Sequence, residues 1–542
     1  MKQPKQSFFD QKTLLAIIIT TIVWLGWQFH LQKKYPNQHK PTQAQQVGAA
    51  QTQGATEAIT GTVSEAVPTA SQAKNDEIAA DNATPEQTVA ITGTTWSFKI
   101  SSWGMGLKDF ELKNYHDRQG VPIKIGTEVE GRLPFATELI GRRAPLNFTI
   151  EKVSETHYVG RARAAGVEVV KTLVMDENKY RIDTEVQVQG QSDSFLGLTT
   201  YMVDPLMHFE GGSFLAPTFE RQEAYALGSE SSERLHLAPD QDLSVRVDKM
   251  QVAALGTQYF TQALVDRSDV RPELKTEVSA SKKTVVTSIS HSLLNRGDNM
   301  QLKYTAFMGP KNLQLLRTVD ESLIGVVDFG FFALLGRPIL SALKWFHEVT
   351  GNWGIAIILL TILVRFLVLP FNVMSFRSMK AMQVIQPMIA DLKTRYKDDQ
   401  ARLNQEMLQL FKTYKVNPVG GCLPVLMQIP VFFALYQVLG HSVELYQAPF
   451  MLWIHDLSFK DPYFVLPILM GATMFIQMRL TPSSADPMQA KILMFMPLIM
   501  TVFMLALPSG LTLYIFISTV FGIVQQLYLM KSSPLTPVTA KK

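Results

Sequence analysis

Leu359-Leu360-Thr361-Ile362-Leu363-Val364-Arg365-Phe366-Leu367-Val368-Leu369 sets one guanidinium inside an otherwise apolar helix. A stretch of this kind belongs in a bilayer rather than a soluble core. An arginine well inside a lipid-facing helix costs on the order of 2.5–3.5 kcal/mol on insertion, so such residues face protein or a wet cavity. Arg365 lies about six residues from the basic end of its span, roughly 9 Å deep at helical rise. Thr361, four residues earlier, shares its face and extends a polar stripe. The competing reading is an arginine that snorkels to the nearer interface. No Asp or Glu occurs inside the other apolar spans to pair with it. An unpaired cation implies a hydrated pocket that accepts a transient anionic guest.

Working outward, residues 353–371, 419–439, 463–480, 491–507 and 511–530 are apolar runs long enough to cross a bilayer. A further run, residues 13–29, follows Lys2, Lys5 and Lys12 and lacks an A-x-A cleavage pattern. It reads as an uncleaved signal-anchor, giving a domain at 1–30 and six spans in all. The segment 372–418 carries Arg377, Lys380, Lys393, Arg395, Lys397, Arg402, Lys412 and Lys415, whereas 440–462 carries only Lys460 against Glu444, Asp456 and Asp461. By the positive-inside rule, 372–418, the loop 481–490, both termini and the short tail 531–542 are cytoplasmic.

The cytoplasmic segment 372–418 has its own helical periodicity. Met379, Met382, Ile385, Ile389, Leu392 and Tyr396 share one face, and Leu403, Met407, Leu410 and Tyr414 another, so it reads as an antiparallel helical hairpin. Met379, Met382 and Met407 suit a surface that accepts varied apolar partners, and 24 methionines in the chain favour that over filler.

Upstream of the membrane region the pattern changes. Residues 31–90 are rich in Gln, Ala, Thr and Gly without periodicity, a disordered tether. Residues 91–320 alternate with period two; Ile182, Thr184, Val186 and Val188 face one way, and Arg181, Asp183, Glu185, Gln187 and Gln189 the other. Residues 167–175, 180–190, 244–252 and 284–289 read as strands of an antiparallel β-sandwich outside the membrane. Between them, 321–352 reads as an interfacial region with an amphipathic helix opened by Pro338; Ile339, Leu340, Leu343, Phe346 and Val349 share its apolar face.

Composition excludes several function classes. One cysteine, Cys422, rules out an intrachain disulfide framework, and His157, His208, His236 and His291 lack ligand spacing. No G-x-x-x-x-G-K-[ST] is present, so no nucleotide site is expected, nor any cofactor, metal or catalytic residue.

Asn417-Pro418-Val419-Gly420-Gly421-Cys422-Leu423-Pro424, Gln428-Ile429-Pro430-Val431-Phe432, Ala448-Pro449-Phe450, Trp453-Ile454-His455-Asp456-Leu457, Asp486-Pro487-Met488-Gln489 and Pro508-Ser509-Gly510-Leu511 together resemble the YidC membrane protein insertases, relatives of Oxa- and Albino-type proteins. The resemblance implies a five-helix groove open to cytoplasm and lipid, holding Arg365 with Thr361 and Tyr514, beside a slide at Ile429 and Phe432. It implies a supersandwich outer domain, and recruitment through the hairpin and the Asp486-Pro487 loop. It also implies nascent membrane proteins, the Sec translocon, the ribosome and signal recognition machinery, and lipids as partners. Relatives often have two adjacent aromatics where this chain has Tyr514-Ile515, and a tail with only Lys531, Lys541 and Lys542 basic implies weak ribosome docking. A secondary transporter, or an envelope carbohydrate-binding protein acting through the β domain, are the other function classes these residues leave open. The first would need a repeat between halves; the second, carboxylates clustered with aromatics in a cleft.

Overall fold

Among the described residues, eighteen strands precede the helical region, and each pairs antiparallel with its neighbours. The computed structural model describes residues 85–141, 145–190, 195–207, 220–238, 241–293, 300–329, 333–414, 416, 423–481 and 487–532. The anchor at 1–30, almost all of the tether, His208, Cys422, Asp486 and the end of the tail lie outside the described residues.

The strands form three sheets. Thr88–Thr92, Trp96–Ser101, Leu107–His116 and Pro122–Lys124 make the first. Leu243–Val247, Glu273–Ser279, Thr284–Ser292, Gly197–Pro205 and Thr137–Leu139, in that order, make the second. The third has nine strands, from Ser232–Leu237 through Gln222–Leu227, Val252–Thr257, Phe260–Asp266, Met300–Pro310, Arg181–Gln189, Val167–Asp176 and His157–Ala164 to Thr149–Lys152. Period-two alternation drives the arrangement, since Ile182, Thr184, Val186 and Val188 are buried while Gln187 and Gln189 are exposed. Trp96 and Phe98 of the first sheet, Leu198 and Ile289 of the second, and Val169, Leu264 and Tyr304 of the third share one apolar core.

One expected strand is broken. Residues 244–252 change sheet midway, because Lys249 takes a left-handed conformation (φ 52°) between Leu243–Val247 and Val252–Thr257.

Among the described residues, seven α-helices follow a short connecting helix α1 (Leu313–Val319). They are α2 (Ala333–Thr350), α3 (Trp353–Arg395), α4 (Gln400–Thr413), α5 (Leu423–His441), α6 (Val465–Leu480), α7 (Pro487–Met504) and α8 (Ser509–Ser532). Pro338 sits inside α2 rather than opening it, near enough to the start that the missing N–H disturbs only the first turns. Leu340 and Leu343 of α2 are buried, while Trp345 and Val349 stay exposed. Gly351 (φ 67°) turns the chain, and the Asn352 side chain caps α3 by accepting from the Ile355 N–H at 3.1 Å. The 371/372 boundary expected between span and hairpin is no helix end, since α3 runs unbroken for 43 residues. Among the described residues, α3 and Ser509–Lys531 are long and apolar enough to cross a bilayer; Val465–Leu480 and Met494–Met504 are apolar but shorter. Ile357 and Leu360 of α3, Leu435 and Val438 of α5, Met470 of α6, Met504 of α7 and Leu511 of α8 form the second core.

Candidate functional site

Arg365 projects from α3 beside Phe366 and Leu367, both largely exposed, with the Phe366 ring edge-on to Phe521 of α8 at 5.5 Å. Its guanidinium turns inward to α8. Nε donates to the Ser518 hydroxyl at 2.8 Å, and Nη2 donates to the same oxygen. Ser518 and Tyr514 lie one turn apart on α8, both buried, and the Tyr514 phenol meets the Ser518 hydroxyl. Gln428 of α5 donates its amide N–H to the Tyr514 oxygen. One polar chain thus ties α3, α8 and α5 together. Among the described residues Arg365 forms no ion pair, so its charge is oriented by a neutral group and left uncompensated. A guanidinium has five N–H donors, so one hydroxyl cannot satisfy it.

Thr361 is placed differently from the expectation. It is fully buried, and its hydroxyl donates to the Ile357 carbonyl of its own helix at 2.6 Å, so it offers nothing to a groove. Phe432 is half-buried, its ring edge-on to Phe433 at 5.6 Å and tilted against Tyr436 at 6.3 Å, while Ile429 and Phe433 are exposed beside it. These make an apolar strip on α5 next to the polar chain. Ser518 and Gln428 were not expected as site residues; Gln428 was visible as a polar residue within an apolar run, whereas Ser518 carries no signal of its own. Further down, Asn372 donates to Gln525 at 3.3 Å, and the Thr481 hydroxyl, which donates to the Gln477 carbonyl at 2.8 Å, lies 3.3 Å from the Gln526 amide, extending the polar seam.

The end of α3 and α4 form the hairpin. Met382 and Ile385 are buried with Val416, against Leu410, Phe411 and Tyr414. Met382 therefore holds the hairpin together and is not available at its surface, because its position faces the partner arm. Met379 and Met407 are half-buried, and the exposed apolar side chains are Met374, Met388 and Leu408. Asp486 lies outside the described residues, and Pro487 opens α7.

On the opposite side, the β domain grips the end of α5 and the loop after it. Arg221 donates to His441 Nε2 at 2.7 Å, and Gln258 donates to the Gly440 carbonyl. Tyr446 donates to the His116 carbonyl at 2.9 Å, and Glu444 receives Lys344 at 2.7 Å and Asn312 at 3.0 Å. Behind Arg221 is a buried charge cluster. Glu223 meets Lys311 at 2.6 Å, while Arg234 is 3.0 Å from its second oxygen without hydrogen-bond geometry. Burial alone would raise the Glu223 carboxyl, but Lys311, Arg234 and Arg221 outweigh it and hold it well below the usual range. A second buried charge is Lys171, whose ammonium donates to the carbonyls of Gly104, Met105 and Phe135 at 3.0, 3.2 and 2.6 Å. Burial pushes it down to about 7.

No group of three metal-ligating side chains occurs among the described residues. A cavity of about 680 Å³ in the β domain, lined by Gln187, Gln189, Asp269, His291 and Gln301 among others, has one carboxylate and no Phe, Tyr or Trp among the described residues. His291 is buried, its Nε2 paired with Asp266 at 3.1 Å and its Nδ1 without a hydrogen-bond partner among the described residues.

Residues 88–342 match the family described as YidC periplasmic domain, and residues 345–536 that described as 60Kd inner membrane protein. A membrane protein insertase YidC of Geobacter sulfurreducens is 36% identical over 465 residues, 81% of this chain and 85% of that one. Another, of Syntrophus aciditrophicus, is 32% identical over 97% of this chain and all of its own length. A crystal structure of an active YidC insertase with its first transmembrane domain resolved covers 82% of this chain and 93% of its own, at 18% identity and a TM-score of 0.37.

Proposed function

Because this chain belongs to the YidC family of membrane protein insertases, we propose that it passes the polar tail of a nascent membrane protein along the Arg365–Ser518–Tyr514 seam between α3 and α8. The chain is an inner-membrane protein with a periplasmic β domain, and as an insertase it binds nascent membrane proteins. In the proposed arrangement six helices cross the membrane, both termini are cytoplasmic, and the β domain is an antiparallel sandwich of stacked sheets. The hairpin of α3 and α4 receives the substrate, with the ribosome, the signal recognition machinery and the Sec translocon as further partners.

The observation that carries the reading is a cation within an apolar stretch of α3, bonded to a hydroxyl and, among the described residues, to no carboxylate. At 4 Å and an effective dielectric of 20, a unit pair is worth about 4 kcal/mol before desolvation. That captures an acidic residue in a passing tail without trapping it. The strip of Ile429, Phe432 and Phe433 lies alongside, an apolar path for the substrate's own membrane segment. Partition of that segment into lipid then supplies the driving force.

Liposomes containing only this protein test the reading with a small single-span substrate whose translocated tail carries acidic residues. Arg365→Glu should impair insertion far more than Arg365→Lys. Equal activity of the two variants overturns the docking role, and no insertion by the folded wild type overturns autonomous action.

A further inference from the structure

An arginine beside the exposed Phe366 and Leu367 has an easier place to go than the groove. Its stem is long and flexible, and snorkelling would carry the charge to the inner interface. Something must hold the head in place. We propose that Ser518 is the residue that positions Arg365, a role that rests on the docking reading above.

The geometry explains why the group is a hydroxyl. Nε and Nη2 form one edge of the guanidinium plane, and both donate to the Ser518 oxygen. That fixes the plane and leaves Nη1 and the outer edge toward a guest carboxylate, the edge suited to bidentate pairing. A serine oxygen has two lone pairs and one hydrogen. Arg365 takes the lone pairs, and the hydrogen faces the Tyr514 phenol, which Gln428 of α5 engages in turn. The hydroxyl is therefore oriented by contacts on three helices, α3, α8 and α5. Ser518 is 4% exposed, so water does not compete for it. A carboxylate in its place would orient the guanidinium as well but would neutralise it, and the guest would meet a pair in place of a cation. A hydroxyl orients the charge and leaves it whole.

The test uses the full chain in liposomes and two matched single-span substrates, one with a neutral and one with an acidic translocated tail. The readout is the ratio of acidic-tail to neutral-tail insertion, which general loosening of helix packing does not move. Ser518→Ala should lower that ratio roughly tenfold, the scale of one hydrogen bond to a charged group. Ser518→Thr should restore it, and Ser518→Asp should lower it at least as far as Ser518→Ala. Adding Ser518→Ala to Arg365→Gln should change the ratio no further. If Arg365→Gln keeps the wild-type ratio, the docking reading fails and this proposal with it. If Arg365→Gln loses the ratio while Ser518→Ala keeps it, positioning by Ser518 alone is overturned. Equal loss of both substrates in Ser518→Ala, with the ratio intact, also overturns it.

Discussion

Replacing Glu223 by Gln removes one charge and almost no volume from the cluster behind Arg221. Lys311 and Arg234, with side chains only 3% and 17% exposed, then lose their shared anion. Water reaches neither well enough to compensate. Breaking one partner of a buried ion pair costs about 3–5 kcal/mol. In a domain of this size each kcal/mol moves the melting temperature about 2–4 °C, so the β domain should melt about 6–20 °C lower. Gln keeps one acceptor for Lys311, which favours the lower half of that range. The assay is a thermal melt of the full chain in detergent, followed by β-sheet circular dichroism. A companion Lys311→Met variant closes a double-mutant cycle, in which the two losses should fall short of additive because the residues share one contact. A melt of Glu223→Gln within about 2 °C of wild type would refute the reasoning, since that corresponds to about 1 kcal/mol or less.

The same carboxyl fixes the sign of an acid dependence. Its folded pKa lies below its ordinary 4.5, so the unfolded chain takes up the proton first. The stabilisation is fully present above about pH 4.5 and lost as pH falls below it; melts between pH 3 and 7 should steepen for wild type but not for Glu223→Gln. At the α6–α7 contact, a Cβ on Gly471 would sit 2.0 Å from Thr501 Oγ1. Gly471→Ala should destabilise the helical region by about 1–3 kcal/mol in a detergent melt, and Thr501→Ala should recover part of the loss. In the hairpin, Met382→Ala should cost about 2–5 kcal/mol of local stability and speed limited proteolysis between residues 396 and 400. The exposed Met388 changed to Ala should leave that cleavage rate unaltered.

What was legible from the chain follows a physical line. Arg365 stood out because a charge in an apolar helix is costly wherever it sits. The strands at Val167–Asp176 and Arg181–Gln189 were legible because alternation with period two repeats over many residues. Local periodicity is blind to partners. Glu223 and Lys311 are 88 positions apart, and Arg365 and Ser518 are 153 apart. Thr361 misled because sharing a face says nothing about where a hydroxyl spends its hydrogen. Residues 244–252 misled because a single left-handed lysine interrupts an otherwise continuous pattern. The boundary after residue 371 misled because a change of solvent alters composition, whereas the helix continues through it despite the one hydrogen bond that Pro370 removes.

That uninterrupted helix has a mechanical meaning. At 43 residues α3 is about 64 Å long, against roughly 40–45 Å for a whole bilayer with headgroups. The hairpin is thus an arm on the same shaft that bears Arg365. A load taken up at its tip reaches the guanidinium as rotation or tilt, less whatever the intervening prolines absorb. The compliant points are Pro370 and Pro387, whose rings leave the Phe366 and Gln383 carbonyls without their helical donors. In the proposed topology, arrival of a partner outside the membrane plane and the aim of the charge within it are two readings of one lever.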